Sequence, residues 1–558
     1  MRRKRNRKKK PGPDIREIGL DELQAILDRA KSGPLDDDEY GKLKAAVDTL
    51  AFLTSELEKK GVSIKRLRKL IFGASTEKTS QVFKDAQQRD GPGADSGSAD
   101  GEGEGEKNKA KKRKGHGRNG ASDYAGAERI RIAHESLHSG DLCPGCEKGK
   151  VYPQKEPAVM VRVRGMAPLG ATVYERERFR CNLCGEVFTA ASPEGVGEEK
   201  YDETAAAMIA LLKYGAGLPF NRIEKLQKGL GIPMPASVQW EVVDRAAEPV
   251  EPAYAEMVRQ AAQGKVLHND DTTMKILELD RQSRQDGPAD GDDAGERTGV
   301  FTSGIVSVDE GHKTALFFTG RRHAGENLET VLAQRAKELS APIQMSDALS
   351  RNTSGDFQTI MANCLAHGRR RFVDVADNFP DEVRHVLEEL KKVYKIDDDA
   401  REQGLSPAER LSLHKAQSGP LMKALKKWLK KQLAERKVEP NSGLGEAITY
   451  MVKHWEKMTL FLRVAGAPVD NNICERALKK AILHRKNAYF YKTENGARVG
   501  DMFMSMIHTA ELCRANPFDY LVALQRHADE VEKNPGEWMP WNFTEALQRL
   551  NSGVDPPR

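Results

Sequence analysis

The hydrophobic positions first form a helical pattern near the N-terminus. From Leu43 to Ile71, apolar side chains recur at alternating three- and four-residue steps, interrupted by Lys60. This is the a/d spacing of a coiled coil, so we predict a coiled-coil helix over residues 36–76. An amphipathic helix packed on its own domain is the alternative, because the run spans only about four heptads and Gly61 weakens it.

The stretches on either side of this helix contain too few apolar positions to form a core. Residues 1–35 open with MRRKRNRKKK and predict a basic arm with a short helix. Residues 77–127 are rich in Asp, Gly, Ser, Glu and Lys, which predicts a disordered linker. Its basic half, KNKAKKRKG, is a candidate contact for DNA.

Short alternating strands and two CxxC pairs occupy residues 128–195. Each pair, Cys143 with Cys146 and Cys181 with Cys184, places two thiolates on one tight turn. Two such turns complete a tetrahedral zinc site. The strands VMVRVRG and ATVYERERFRC would bring the turns together as in a zinc ribbon. A redox function is the alternative, although neither pair follows a thioredoxin-like strand and helix.

Helical periodicity dominates residues 196–262. The stretch TAAAMIALLKYGAGLPFNRIEKLQKGLGI, followed by PASVQWEVVDRAAE, predicts helix, Gly-containing turn, helix. A helix-turn-helix that reads DNA and a plain helical hairpin fit this pattern equally well.

Strand-like patterns return in residues 263–515. The segments KVLHNDDTTMKIL, FTSGIVSVD and KTALFFTG are followed by a helix and a short apolar strand, which predicts an α/β core. A polar insertion, RQSRQDGPADGDDAGER, is predicted to be a disordered loop. A second insertion of about 380–462 is rich in Lys, Leu and Glu and is predicted to be helical. Residues 516–558 form a C-terminal segment. Taken together, these segments predict a multi-domain α+β protein.

Length and composition restrict the class of protein further. A chain of 558 residues is too long for one hydrophobic core. The mean hydropathy is −0.63, and no apolar run is long enough to cross a bilayer. The basic start is followed by PGPDIREIGL rather than by the apolar region of a secretory signal. Two CxxC pairs among seven cysteines favour metal binding in a reducing compartment, so we expect a cytoplasmic protein without a membrane partner.

Charge distribution says more than net charge, which is only +6. Basic residues concentrate in residues 1–10, 107–118, 367–371 and 476–492. Clustered cations suit a phosphate backbone, although a charged run is often only a solvated surface. The last two clusters are the stronger DNA-binding candidates because they lie near acids.

Three acids occupy the ends of separate predicted elements. Asp270, beside Asp271, lies within a β-rich run, Asp347 ends a short strand, and Glu475 opens a basic helix. Buried carboxylates are costly unless they are paired or bind a cation. Three of them could converge on two divalent cations for phosphodiester chemistry, and carboxylate oxygens suit Mg²⁺ or Mn²⁺. A solvated edge strand followed by a turn is the alternative for the first segment.

The motifs HNDDT, SDAL, NCLAHGRRRF and DNNICERALKKAILHRKN, in this order, resemble the catalytic domain of the insertion sequence 66 family of bacterial DDE transposases. LRKLIFGASTEK, the CxxC pairs and the terminal PWNF also have counterparts in that family, so the resemblance extends from about Leu43 to about Phe543. It implies a ribonuclease-H-like catalytic core and self-association through the coiled coil. It also implies that the protein binds double-stranded DNA, both at the ends of its element and at the target, and catalyses strand cleavage and strand transfer. The implied location is the bacterial nucleoid, and accessory transposition proteins are possible partners.

The resemblance also suggests roles for particular residues. It implies that Asp270, Asp347 and Glu475 are the catalytic magnesium ligands, with Asp271 at a more variable position. Side chains near these acids are candidates for binding DNA phosphates, namely His367, Arg369, Arg370, Arg371, Arg476, Lys479, Arg485 and Lys486. Arg476 could instead pair with an acid. We expect Asn471 and Asn472 to cap the helix rather than bind metal.

Two other functions fit the same sequence. One is a DNA-binding protein derived from a transposase that has lost catalysis, and the other is a stand-alone DNA nuclease. Three intact acids argue against the first. Strand transfer into a target DNA would reject the second.

Overall fold

A computed structural model describes residues 25–30, 33–47, 136–144, 146–152, 166–180, 187–195, 197, 199–285, 299–309, 311–353, 355 and 357–552. Pro92–Pro168 forms one compact unit, and Leu169–Arg558 belongs to another together with the N-terminal residues. Within the described ranges, no helix is both long and apolar enough to cross a membrane.

The centre of the larger unit is a mixed sheet, preceded by the hairpin of β1 (Arg178–Arg180) and β2 (Val187–Thr189). The sheet strands are β3 (Val266–Met274), β4 (Val300–Val308), β5 (Lys313–Gly320), β6 (Ile343–Ser346) and β7 (Ile360–Asn363). Among these residues the strand order is β5-β4-β3-β6-β7. Both pairings on the β4 side are antiparallel, and β3, β6 and β7 are parallel. The prediction of a mixed α/β core is confirmed.

Helices surround this sheet. Their bounds are α1 (Glu203–Ala210), α2 (Phe220–Gly229), α3 (Ala236–Ala261), α4 (Leu277–Gln285), α5 (Ala324–Leu332), α6 (Leu365–Val373), α7 (Pro380–Glu402), α8 (Pro407–Leu413), α9 (Gly419–Ala434), α10 (Gly443–Lys453), α11 (Trp455–Met458), α12 (Asn472–Ala488), α13 (Glu494–Leu512), α14 (Pro517–Arg526), α15 (Ala528–Lys533) and α16 (Phe543–Ser552). The connection from β5 to β6 passes through α5. It is a crossover rather than a tight hairpin because β6 pairs with β3 in parallel.

The helical region at 196–262 packs together with the C-terminal segment. Ala207 of α1, Val250 of α3, Met506 of α13 and Leu521 of α14 are buried in one hydrophobic core that extends to the sheet. Apolar burial of this kind is the main stabilising contribution to a fold. These segments therefore support the sheet, whatever else α2 and α3 bind.

The insertion near 380–462 is helical in the structure, with α7 to α11 inside it. Its side chains Leu390, Leu429, Ile448 and Phe461 are buried in a second core that also contains Met345 of β6. The insertion thus packs on the side of the sheet that carries β6 and β7.

The prediction of a disordered loop at RQSRQDGPADGDDAGER is wrong for the first residues of this segment. Helix α4 includes residues 281–285. Leu279 of this helix is buried in the main core, and the backbone N–H of Leu277 donates to the Tyr491 carbonyl at 3.0 Å. Tertiary contacts thus stabilise the start of a helix that the polar composition of this segment did not indicate. Residues 286–298 lie outside the described part.

The N-terminal predictions fall mostly outside the described residues. Residues 25–30 and 37–47 are helical, and Arg29 pairs with Glu39 at 2.6 Å. Of the coiled-coil positions, the structure describes Leu43 and Ala46 only. The remainder of the 36–76 helix and the 77–127 linker stay predictions.

Candidate active site

The sheet topology brings Asp270 and Asp347 to one place. His268 of β3 pairs with Met345 of the parallel strand β6, so two residues further along both strands Asp270 lies level with Asp347. Glu475 lies in the first turn of α12, which packs across β3 and β4. The three acids of the sequence prediction therefore come from three separate elements and meet beside the sheet.

Asn352 joins two of these acids. Its side-chain Nδ2 donates to Asp347 Oδ1 at 2.6 Å and to Asp270 Oδ1 at 3.2 Å. The side chain is fully buried, and the Asn352 carbonyl accepts from Asn269 Nδ2 and Gln344 Nε2 at 2.8 and 2.7 Å. Sequence analysis missed Asn352, because nothing in SDALSRN marks one polar residue as a partner of an acid 82 positions earlier.

Burial and neighbouring acids change the protonation of Asp270. Burial raises the pKa of Asp270 to about 7, and the negative charges of Asp347, Asp271 and Glu475 add to this effect. A carboxyl with such a pKa lies where negative charge is disfavoured and where a cation would be strongly favoured. Perturbed groups of this kind concentrate at functional sites.

Two basic side chains of α6 lie beside Glu475. Its Oε1 is 3.7 Å from His367 Nδ1, and its Oε2 is 3.6 Å from Arg370 Nη2. These distances are too long for hydrogen bonds. The buried Glu475 Oε1 has no hydrogen-bond partner among the described residues.

Asp271 points to the other side of the strand. Its Oδ2 is 2.8 Å from His323 Nδ1, and its Oδ1 is 3.3 Å from Arg351 Nη2. Successive side chains of a strand alternate between faces. The two adjacent acids therefore have different partners, with Asp270 beside other acids and Asp271 beside a histidine and an arginine.

Helix α12 is bound to β3 along the face that carries Asp270. The Asn471 side chain donates to the Asn269 carbonyl at 3.1 Å, and its Oδ1 lies 3.0 Å from the His268 ring Nδ1. Burial lowers the pKa of His268 to about 4, so its ring is neutral at pH 7. The prediction that Asn471 caps the helix is wrong for its side chain, since Asn471 occupies the N-cap position without a side-chain cap. Tertiary hydrogen bonds to β3 replace the local one.

Asn472 does not cap the helix either. It is the first helical residue, and its Nδ2 donates to Asp470 Oδ2 at 2.6 Å. The Asp470 Oδ1 also accepts from the Asn472 backbone N–H. The preceding acid therefore organises the helix start.

The predicted basic residues separate into two groups. His367, Arg369, Arg370 and Arg371 lie on α6, where Arg371 stacks on the Tyr450 ring at 3.8 Å. Arg476, Lys479 and Lys486 are exposed on α12. Arg476 makes no ion pair with a described residue, so the alternative of pairing with an acid is not realised there.

Arg485 differs from the other α12 cations. Its guanidinium donates to Thr272 Oγ1 at 3.0 Å and to Thr273 Oγ1 at 2.6 Å. This side chain holds the helix against β3. Its part in DNA binding stays a prediction.

The first CxxC pair forms a tight turn in the smaller unit. The Cys143 N–H donates to the Gly149 carbonyl at 2.7 Å, and the flanking Leu142 and Lys150 form an antiparallel bridge. Backbone amides of Lys148 and Gly149, with the Cys143 thiol, lower the pKa of Cys146. A lowered pKa favours the thiolate, which is the form of cysteine that binds a metal. Cys181 and Cys184 lie outside the described residues.

The fold and the three acids agree with the DDE transposase class. A family model described as the transposase IS66 family matches residues 199–499. The chain therefore belongs to the IS66 family of transposases.

Curated relatives carry no assigned function. The chain is 27% identical over 386 residues to uncharacterized protein y4jD of Sinorhizobium fredii (strain NBRC 101917 / NGR234), covering 66% of this chain and 71% of that protein. It is 26% identical to y4hP of the same strain, covering 66% and 68%, and 24% identical to y4qI, covering 76% and 74%. No solved structure matches the chain.

A mutation at Asn352 tests the bridge between the acids. We expect Asn352→Ala to lower Tm in EDTA, because Asp270 and Asp347 lose a shared donor worth about 1.5–3 kcal/mol for a charged acceptor. Adding Mg²⁺ should restore most of the loss, because a cation also offsets the repulsion. Thermal unfolding with and without Mg²⁺ measures both effects. A Tm that Mg²⁺ does not raise in the variant would contradict the placement of a cation between these acids.

Proposed function

We propose that this chain is a DNA transposase that binds the terminal inverted repeats of its insertion element and catalyses DNA strand cleavage and strand transfer on a ribonuclease-H-like core. Asp270, Asp347 and Glu475 are its proposed catalytic residues. The observation that carries this proposal is the meeting of these three acids from separate elements, with a pKa of about 7 at Asp270.

The donor set fits divalent cations. Three carboxylates offer hard oxygen ligands, which suit Mg²⁺ or Mn²⁺ rather than zinc. The Glu475 Oε1 has no hydrogen-bond partner among the described residues, and the Asn352 amide supplies positive character between the other two acids. When bound, two such ions would neutralise phosphate charge and activate a water or 3′-hydroxyl nucleophile.

A second group of possible ligands lies beside this site. Potential ligand atoms of Cys364, His367 and Glu475 lie within 4.8 Å of one another. Burial raises the pKa of Cys364 to about 12 in the absence of metal, and a soft sulfur ligand does not suit Mg²⁺ or Mn²⁺. We therefore assign Glu475 to the carboxylate site and His367 to a phosphate.

The protein's own cations would position the DNA. Arg370 and His367 lie at Glu475, where a phosphate oxygen could accept from both. Arg369 and Arg371 lie on the same helix, and Arg476, Lys479 and Lys486 project from α12. Positioning a phosphodiester beside the acids is itself a large part of catalysis.

Other parts of the chain complete the proposal. Cys143, Cys146, Cys181 and Cys184 would hold one structural Zn²⁺, and the 36–76 helix would assemble copies of the chain. The helical region at 196–262 would contact DNA. The same proposal implies that accessory transposition proteins are possible partners. It also implies that the protein acts in the bacterial cytoplasm, at the nucleoid.

Zinc content tests the proposed ribbon. We expect one zinc per chain, and a lower content after Cys181→Ser because a tetrahedral site loses one of four ligands. Metal analysis of the purified full chain measures this, with Cys513→Ser as the control because Cys513 lies outside both CxxC pairs. Equal zinc in the parent and Cys181→Ser proteins would reject the assignment.

The proposed reaction is tested with a duplex that carries one element end and a target plasmid. We expect Mg²⁺-dependent cleavage at the element end, followed by joined products. Binding without cleavage would favour an inactive DNA-binding protein. Cleavage without joining would favour a nuclease.

A further inference from the structure

The exposed positions of α12 form a distinctive surface. Within residues 472–490 the exposed side chains comprise three cations, one leucine and two aromatic rings, namely Arg476, Lys479, Leu483, Lys486, Tyr489 and Phe490. The first four recur at three- and four-residue steps, so they share one edge of the helix. The three cations make no ion pair with a described residue. We call Tyr489 and Phe490 the aromatic pair.

The aromatic pair lies in a strained turn. Tyr489 has φ 67° and ψ −38°, and the Phe490 N–H donates to the Ala488 carbonyl at 2.9 Å. This is a γ-turn with positive φ at its centre, a rare conformation for a residue other than glycine. Such strain persists only where the surrounding structure imposes it, and it concentrates at functional sites.

The chain on both sides imposes this turn. The Tyr489 N–H closes the last turn of α12 by donating to the Arg485 carbonyl at 2.9 Å. Two residues later, the Tyr491 N–H donates to the Lys275 carbonyl at 2.9 Å. The chain is thus anchored to the end of β3 immediately after the helix, and both rings remain outside, with Tyr489 68% exposed and Phe490 40% exposed.

The aromatic pair lies at a defined distance from the acids. A helix rises 1.5 Å per residue, so the 14 residues from Glu475 to Tyr489 span roughly 20 Å. Duplex DNA advances 3.4 Å per base pair, so this length corresponds to about six base pairs. A DNA end whose phosphates follow the cations of α12 would therefore bring a nearby base to the aromatic pair.

We propose that Tyr489 and Phe490 form a stacking site for an unpaired base of the element-end DNA, close to the cleavage position. This inference rests on the proposed function. Exposed rings accept a base face whatever its sequence, and cations beside them bind the adjoining phosphates. The cations on the same helix edge form no ion pair with a described residue and favour DNA over an apolar protein partner, because a phosphate backbone complements them.

The test uses a duplex of one element end with 2-aminopurine placed singly within about six nucleotides of the cleavage position. Fluorescence reports whether that base unstacks from the duplex when the full chain binds. We expect a change at one or two positions with the parent protein. We also expect it to persist in Tyr489→Phe, which keeps the ring, and to disappear in the double variant Tyr489→Leu with Phe490→Leu.

Cleavage of the same DNA should follow the fluorescence. Loss of a stacked base costs about 1–3 kcal/mol, so cleavage by the double variant should fall roughly 5- to 100-fold. A mismatch at the responsive position should restore part of the rate, because the base is then already unpaired. Rescue of this kind would not follow from a general structural defect.

Tyr489→Gly separates function from folding. Glycine adopts positive φ without strain, so this variant should have an equal or higher Tm while its fluorescence change is reduced. Unchanged fluorescence and cleavage in the double variant would overturn the stacking site. So would a change in sedimentation with intact fluorescence, which would identify a protein contact. A parent protein that neither binds nor cleaves element-end DNA would reject the proposed function as well.

Discussion

Asp270→Asn should abolish Mg²⁺-dependent cleavage and strand transfer while DNA binding is retained. The neutral amide keeps the shape of the side chain but is a much weaker ligand for a hard cation. Asp270 lies beside Asp347 and Glu475, whose negative charges disfavour its ionisation, and a bound cation would offset this repulsion. Cleavage of a duplex with one element end, together with a binding assay on the same duplex, measures both properties.

The pKa of Asp270 adds a stability prediction for this variant. Its folded pKa of about 7 exceeds the ordinary 3.8, so stability without metal is lost as pH rises from 4 through 7. Asn resembles the neutral form at every pH. In EDTA above pH 7, Asp270→Asn should therefore unfold at a higher temperature than the parent, and a lower Tm there would contradict the buried acid cluster.

Asp271→Asn is the matched control at the adjacent position. It should keep measurable cleavage, because Asp271 faces His323 and Arg351 rather than the other acids. Its Tm should fall, because a buried carboxylate that contacts His323 and Arg351 is replaced. If instead Asp271→Asn abolishes cleavage and Asp270→Asn retains it, the face assignment of β3 is off by one residue.

Asp397→Ala should lower the free energy of unfolding by about 3–5 kcal/mol, the usual effect of removing one partner of a buried ion pair. Asp397 lies in α7 of the helical insertion with only 5% of its side chain exposed. Arg401 and Arg410 approach its carboxylate at 2.9 and 2.7 Å, and the His414 Nε2 lies at 3.1 Å. Without Asp397, these groups lose their common acceptor. Denaturant or thermal unfolding of the full chain measures the effect.

The neighbouring Asp398 supplies a matched control. It also pairs with Arg401, at 2.7 Å, but 63% of its side chain is exposed. Exposed ion pairs contribute little, so Asp398→Ala should change stability by less than about 1 kcal/mol. Equal losses in the two variants would show that burial does not distinguish these two ion pairs.

The pH dependence of Asp397 has a defined sign. Burial alone would raise the pKa of Asp397, but hydrogen bonds from His414 and Arg410 outweigh it and lower the pKa to about 2. A carboxylate with a lowered folded pKa stabilises the protein above its ordinary pKa of 3.8, and this contribution is lost as pH falls from about 4 to 2. The stability difference between the parent and Asp397→Ala should shrink over that window.

The sequence by itself determined the order of β3, β4, β5 and β6 along the chain, the helical insertion and three candidate acids on separate elements. It did not indicate β7, and the prediction that all three acids lie at element ends is wrong for Asp270, which lies in the middle of β3. Period-two alternation identifies a strand and states that Asp270 and Asp271 face opposite sides. Composition rich in Lys, Leu and Glu identified the insertion as helical, because a structureless loop of that length would be implausible. These features are local, so a short window of residues carries them.

Only the tertiary structure decided which residues each face of a strand or helix contacts. Asn352 reaches Asp270 across 82 positions, and Asn471 reaches His268 across 203. The local rule for Asn471 predicted a side-chain cap, but a buried polar group bonds to whichever partner the fold brings close, here β3. The γ-turn at Tyr489 likewise arises because the helix end and the contact with Lys275 are set independently. Periodicity states which side chains share a face, whereas contacts between distant residues depend on how the faces pack.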